Sequence, residues 1–356
     1  MFKKLKIGLV ISMVAVSIIM PVYNSSNFLN KSIESIQKQT LKDIEIICVD
    51  DGSKDSAPQI IDDYKKRYPS IVKTFHKENG GEWSARTYGL KKATGEYVGF
   101  IDSDDVPEVT WAEKLYNAAK VNDADIAFSG YDRIDLDTGK VVSTEMTQYG
   151  IMQKEVDWND DFIVYANPSL WNKLYRRELV KDIEFLPFRG CNDTLFLIHA
   201  YMYGAKRLAF IPDVLYHYYL RNSSQIHSLN MKDIENLKKF FLVTKEDAIK
   251  INKYEEYEEV LSCMVFLHLC ISWVFLVSYN QDANMKEVTK DAVKYMDENF
   301  PKWRKNKLLS IGHCFPKGFK FILIWGVHLF YRLGWARAYV KVNRFLVDTL
   351  KREVKW

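Results

Sequence analysis

A chain of 356 residues, 47% hydrophobic and 27% charged, is neither disordered nor fibrous, and it is long enough for one large α/β domain plus an accessory region. Its net charge of +4 conceals a polarised distribution: from Lys302 to Trp356, thirteen lysines and arginines face only Asp348 and Glu353, so a basic tail follows an acidic body. The five cysteines (Cys48, Cys191, Cys263, Cys270 and Cys314) are scattered without a CxxC pair, which argues against a disulfide framework or a zinc knuckle and fits a reducing compartment.

Lys3, Lys4 and Lys6 followed by the apolar run Ile7 to Met20 imitate a signal peptide, yet no small-residue cleavage site follows. The run flows directly into Pro21-Val22-Tyr23-Asn24, so Ala15 to Met20 is read as a first buried strand. Residues 1–14 are then an N-terminal extension, with Met13 a candidate start. Asn24 to Asn27 offer N-cap chemistry ahead of a helical stripe at Phe28, Leu29, Ile33 and Ile36. Ile44 to Val49 is a second strand ending at Asp50-Asp51-Gly52-Ser53, and Pro58 to Tyr68 a second helix. Ile71 to Phe75 is a third strand, Asn79-Gly80-Gly81 a break, and Ser84 to Ala93 a third helix stopped by Thr94-Gly95. Glu96 to Ile101 is a fourth strand. Strands alternating with helices imply right-handed crossovers and a mostly parallel sheet.

A helix over Trp111 to Ala119 and a strand over Ala124 to Ser129 continue the alternation, and Asp137-Thr138-Gly139 has the look of a hairpin turn. Cys191 to Tyr203 reads as a helix ended by Gly204, and Val214 to Leu220 as an aromatic-rich strand. From about Asn230 the alternation ceases. Leu261 to Ser278 is nearly continuous in apolar residues, borderline for a bilayer span, and is read as a buried helix of an accessory bundle. The tail alternates Phe, Trp and Tyr with Lys and Arg, which suits either a helix at an anionic membrane surface or a solvated basic face over an ordinary core. The expected division is therefore 15–229 as an α/β domain and 230–356 as a helical, basic region.

Phe100-Ile101-Asp102-Ser103-Asp104-Asp105 is the most chemically informative segment. A buried strand has no use for three carboxylates in four positions. At the C-terminal mouth of a parallel sheet, where open α/β folds bind ligands, they suit a divalent cation on a diphosphate. Asp50-Asp51 ends a neighbouring strand, so the two clusters can serve different ends of one nucleotide. Any one of these residues taken singly is also an ordinary turn or cap.

In order and spacing, Pro21-Val22-Tyr23-Asn24, Val49 to Asp55, Asn79-Gly80-Gly81 with Ser84-Ala85-Arg86 and Gly89-Leu90, and Thr94-Gly95-Glu96 running to Asp105 resemble the nucleotide half of family-2 inverting glycosyltransferases of the bacterial polysaccharide type. The resemblance covers about Val16 to Ser228. It implies a GT-A fold, an α/β Rossmann-like arrangement around a mostly parallel central sheet, here with a C-terminal helical extension. It further implies that Pro21, on the donor side, shapes the turn, Tyr23 lies against a uracil-type base and Asp51 accepts from that base. Arg86 would lie near the phosphates or support the acidic loop, Asp102 would face ribose, and Asp104 with Asp105 would bind Mn²⁺ or Mg²⁺. Thr87 stands where the family often has Asn.

The resemblance also supplies a general base, the aspartate of a Glu-Asp pair opening a helix. Asp193 matches, while Asn192 replaces the glutamate; the plain alternative for Asp193 is a helix cap. Trp171, Asn172 and Lys173 match an acceptor-side segment, with Trp171 equally at home in a core. His217 is read as a structural histidine on an aromatic strand, and Arg221 with Ser223 and Ser224 as a loop near the phosphates.

The expected activity is metal-dependent transfer of one sugar from a nucleotide-sugar donor, a UDP-sugar, to a carbohydrate or lipid-linked glycan. The setting implied is capsule, exopolysaccharide or cell-wall assembly in the cytoplasm at the inner face of the membrane. Nucleic acid is not an expected partner. A dinucleotide oxidoreductase lacks its GxGxxG after the first strand, and a P-loop enzyme its GK[ST]. The remaining rival is a non-catalytic nucleotide-sugar or glycan-binding module, favoured only by Asn192.

Overall fold

The computed structural model describes residues 14–158, 161–188, 191–220, 231–280 and 283–350, in two compact units. The segment holding Lys3, Lys4, Lys6 and Met13, the loop with Arg221, Ser223 and Ser224, and the last residues of the basic tail lie outside the described residues.

The first unit comprises the chain up to 155 together with 169–185 and 203–220. Strands β1 (Val16–Val22) and β2 (Ile44–Asp50) are buried along their whole length, which is why they read as continuous apolar runs rather than alternating ones. Helix α1 (Ser26–Gln37) turns Leu29, Ile33 and Ile36 inward. Helix α2 (Ala57–Arg67) has a proline in its first turn and Lys65, Lys66 and Arg67 in its last, where the helix C-terminus favours cations. Then come β3 (Val72–His76), α3 (Glu82–Lys92), β4 (Tyr97–Phe100), β5 (Val106–Pro107), α4 (Trp111–Val121), β6 (Ile126–Asp135), β7 (Val141–Glu145) and β8 (Met152–Glu155). After residue 169 the unit adds β9 (Lys173–Arg176), α6 (Arg177–Val180) and β10 (Arg207–Leu220).

These strands form a ten-stranded sheet in the order β3-β2-β1-β4-β9-β6-β10-β5, with β7 on β6 and β8 on β10. β3, β2, β1 and β4 pair in parallel, as the strand–helix alternation requires. β9 enters antiparallel between β4 and β6, and β10 is parallel to β6, so the far half of the sheet is mixed.

Among the described glycines, Gly99 leaves the least room for a side chain. A Cβ there would lie 2.4 Å from Trp111 Cη2 and 2.8 Å from Leu174 Cδ2, so the bare glycine is what lets α4 and β9 close over β4. Trp111 is itself pinned, its indole N–H donating to the Trp171 carbonyl at 3.0 Å. Gly99→Ala is therefore expected to destabilise the fold by about 1–3 kcal/mol through overpacking, read as a lower midpoint in denaturant unfolding at unchanged slope.

The second unit comprises 156–168, 186–202 and the chain from 221 onward. It contains α5 (Phe162–Tyr165), α7 (Asn192–Met202), α8 (Met231–Lys250), α9 (Tyr254–Val265), α10 (Val274–Val277), α11 (Met285–Asn299), α12 (Ile311–Cys314), α13 (Phe319–Arg332) and α14 (Ala336–Leu350). α9 continues through a π-helical stretch (Phe266–Trp273) into α10. This run, Tyr254–Val277, is long and apolar enough to cross a membrane by length and composition, its most apolar 18-residue window having a mean hydropathy of 2.4. Its most apolar window is 78% buried within the structure, the disposition of a bundle's central helix. Phe266 lies against Trp303, His328 and Tyr331, and Trp158 stacks on Tyr257.

Candidate active site

The loops after β1, β2 and β3 are tied to one another by side chains that bind main chain. Asn24 takes φ 48°, in the left-handed region that asparagine tolerates. Its Oδ1 accepts from the Lys54 N–H at 2.7 Å, and its own N–H donates to Ser53 Oγ at 3.1 Å. Asp55 accepts from the Ser26 N–H at 2.8 Å and the Ala57 N–H at 3.0 Å. Asp50 accepts from the Ser53 N–H at 3.0 Å and faces His76 Nδ1 at 3.2 Å. Pro21 is buried within β1, whereas Tyr23, just beyond it, is 51% exposed and displayed at the strand's C-terminal end.

Asp51 is buried, and its carboxylate gathers the next loop. Oδ1 accepts from the Gly80 N–H at 3.0 Å and from Lys77 Nζ at 2.6 Å, while Oδ2 accepts from the Gly81 N–H at 2.7 Å. Gly81 can present its amide this way because it holds φ +91° at the start of α3. A carboxylate has about four acceptor sites, so these three bonds leave Asp51 with one.

The acidic segment follows β4. Arg86, buried on α3, donates from Nη2 to Asp102 Oδ1 at 2.8 Å and also pairs with Glu82. Arg86 thus ties α3 to the acidic turn. The Asp102 carbonyl accepts from Ser32 Oγ at 3.3 Å and from the Asp105 N–H at 3.1 Å, closing a tight turn. Asp102 and Asp104 are part exposed.

Asp105 is buried, and its oxygens accept from Tyr216 Oη–H at 3.0 Å and the Tyr219 N–H at 3.3 Å. Burial first, and then the neighbouring Asp102 and Asp104 carboxylates, push its carboxyl well above the usual range. Tyr216 Oη also accepts from the Asp102 N–H at 3.3 Å, so one phenol joins both ends of the loop. Reading the chain as a string misses Tyr216. Its partners stand more than a hundred positions away, and the only local signal is a tyrosine amid aromatic neighbours.

The aromatic layer under this loop contains Trp171, whose ring stacks on Tyr216 at 4.5 Å and on Tyr218 at 5.6 Å. Asn172 and Lys173 are fully buried. Asn172 Nδ2 donates to the Ser129 carbonyl at 3.0 Å, and Lys173 Nζ to Asn172 Oδ1 at 2.6 Å. Asn172 thereby fastens the start of β9 to β6 from inside, and Lys173 holds the Asn172 amide while its Nζ lies 4.9 Å from the centre of the Phe128 ring of β6. His217 Nε2 lies 2.8 Å from Glu108 Oε1.

Among the described residues, no three His, Cys, Asp or Glu side chains are grouped so as to hold a metal. The donor set is nevertheless right for one class of ion. Part-exposed carboxylates supply one or two hard oxygen ligands and leave the rest of the shell to phosphate and water, as Mg²⁺-type ions prefer.

In the second unit, Asp193 lies in the first turn of α7, where a helix favours negative charge. Its neighbour Asn192 uses both ends of its amide: Oδ1 accepts from the Leu186 N–H at 3.0 Å, and Nδ2 donates to the Phe188 carbonyl at 2.9 Å. A glutamate, which is acceptor-only when ionised, cannot make this pair of bonds.

A model of the family described as Glycosyl transferase family 2 matches residues 17–184. EpsH of Bacillus subtilis (strain 168), which carries a glycosyltransferase name, is 32% identical over 263 residues, covering 72% of this chain and 76% of EpsH. The poly(ribitol-phosphate) beta-glucosyltransferase of Bacillus spizizenii is 32% identical over 263 residues, covering 71% of this chain and 39% of that larger protein. Among solved structures, S. aureus TarS 1-349 in complex with UDP-GlcNAc superposes with a TM-score of 0.70 at 21% identity, covering 94% of this chain and 92% of that one. That likeness is one of fold.

Proposed function

The chain belongs to glycosyltransferase family 2, and from that membership we propose that it transfers a single sugar, with inversion, from a UDP-sugar to a carbohydrate or lipid-linked glycan acceptor. It is a glycosyltransferase with the GT-A fold. The observation that carries the finer reading is the acidic turn after β4, fastened by Arg86 and Tyr216 beside the interlocked loops of β1, β2 and β3.

In this reading, Pro21 and Tyr23 shape and cover the base, and the remaining acceptor site of Asp51 takes a bond from it. Asp102, oriented by Arg86, receives ribose hydroxyls. Asp104, with Asp105 behind it, would hold Mn²⁺ or Mg²⁺, which when bound neutralises charge on the departing diphosphate. Asp193 accepts the acceptor-hydroxyl proton as that oxygen attacks the anomeric carbon. The bond to the diphosphate oxygen breaks on the opposite face, and the configuration inverts. Trp171, Asn172 and Lys173 stay on the acceptor side as a packed wall, since Asn172 is spent on β6 and Lys173 on Asn172.

Two further features of the proposal rest on the company the chain keeps. The poly(ribitol-phosphate) glucosyltransferase supports an acceptor in cell-wall or capsule polymer assembly, and TarS, held with UDP-GlcNAc, supports a uridine nucleotide. We assign residues 15–229 to transfer and 230–356 to the helical region, with the work done in the cytoplasm at the inner face of the membrane.

Thermal unfolding with UDP, UDP-sugars and GDP, each with Mn²⁺ or with EDTA, tests the proposal. Uridine ligands with metal are expected to raise the midpoint, by about 2.7 kcal/mol of stabilisation at a hundredfold excess over Kd. EDTA should remove the effect, and GDP should match the buffer. A shift unaffected by EDTA would overturn the metal assignment, and a GDP-only shift the uridine assignment.

A further inference from the structure

The inner and outer faces of α13 are both apolar, and only one of them is used. Ile324, Val327, His328 and Tyr331 form the buried face. Tyr331 Oη–H donates to the Cys270 carbonyl at 2.5 Å, docking the helix on the π-helical stretch. On the opposite side, Phe319, Gly326, Phe330 and Leu333 recur at helical spacing. Phe319 is 75% exposed, and a Cβ built on Gly326 would meet nothing within 4 Å. A solvated helix ordinarily places charge on this side; α13 does not.

Helix α14 repeats the pattern. Tyr339, Val340 and Asn343 point inward, and Tyr339 Oη–H donates to the Ile271 carbonyl at 3.4 Å. Outward, Trp335 (59% exposed), Val342 and Phe345 (66% exposed) form a stripe. The rings of Phe330 and Trp335 lie 6.2 Å apart and join the two outer faces into one surface. Arg332, Arg337 and Lys341 are exposed at its edge and have no carboxylate partner among the described residues. Exposed aromatic side chains ringed by unpaired cations complement one kind of partner, a surface with an apolar interior beneath anionic headgroups.

We propose that the outer faces of α13 and α14 form a membrane-docking surface for a bilayer containing anionic lipid, with Phe319, Trp335 and Phe345 entering the acyl boundary and Arg332, Arg337 and Lys341 at the headgroups. The inference stands apart from the transferase chemistry, since none of these residues belongs to the site described above. It places the protein on the membrane rather than across it.

The test is co-sedimentation of the full chain with vesicles of phosphatidylcholine alone or mixed with phosphatidylglycerol. It compares wild type with Phe319→Ser/Trp335→Ser/Phe345→Ser and with Arg337→Glu/Lys341→Glu. Wild type is expected to bind the phosphatidylglycerol vesicles, and both variants to bind roughly tenfold or more weakly. High salt should weaken the wild type and leave less for the charge variant to lose. All substituted side chains are exposed, so unfolding midpoints should match, and the uridine-plus-metal shift measured on the same samples reports on the transferase reading separately. Wild type left in the supernatant overturns the proposal, as does an aromatic variant that binds like wild type. A wild-type dimer that the aromatic variant dissociates, without vesicle binding in either, overturns it in favour of a second copy of this chain.

Discussion

Asp193→Asn is expected to cut sugar transfer by roughly 10²–10⁴-fold while leaving donor binding intact. That range is what a positioned general base contributes, and the amide keeps the shape of the side chain while removing its capacity to take a proton. The position on α7 makes the experiment clean. Asn192 already fastens the preceding loop through Leu186 and Phe188, so the start of the helix does not depend on Asp193 alone. A simple cap residue would behave differently: losing it costs about 1 kcal/mol of stability and little rate. Measuring turnover, the unfolding midpoint and the UDP-induced shift on one preparation separates the two. Near-wild-type turnover would remove the base assignment.

Asp104→Asn is expected to abolish the metal-dependent part of UDP stabilisation and to lower turnover by roughly a hundredfold to a thousandfold, since a metal on a leaving phosphate is worth several kcal/mol. Because Asp104 is part exposed, the unliganded midpoint should stay where it is. Asp105→Asn makes the informative companion. Both Asp105 oxygens accept bonds, from Tyr216 Oη–H and the Tyr219 N–H, and an amide can satisfy only one of them as an acceptor. The mismatch should cost about 1–3 kcal/mol of stability without ligand. If titrating Mn²⁺ into Asp104→Asn restores the wild-type shift at wild-type concentrations, Asp104 is not the ligand.

How much of this could be read from the chain depended on whether the information was local. β1 to β4 and the helices between them were legible because buried parallel strands are continuous apolar runs and their helices show a separate period. The acidic ends were legible because three carboxylates so close together have few other uses. β9 was not, because four residues are too short to show a period and its antiparallel insertion depends on Gly99 and Trp111 far upstream. Tyr216 was hidden because its importance lies in two bonds across a long separation. Asn192 read as a loss relative to the family, and only the loop geometry shows what the amide gains. For α13, apolar residues on every side left periodicity unable to say which face turns inward.

The lacing of the first three loops has a bearing on how such a protein can change over time. Asn24, Ser53, Asp51 and Asp55 hold their neighbours through peptide N–H groups, which every residue except proline supplies. The side chains displayed on those loops, Tyr23 and Lys54 among them, are not what keeps the loops in place. New side chains can therefore be tried there at little cost to the scaffold, so the surface these loops present can change by point substitution while the backbone frame is inherited unchanged.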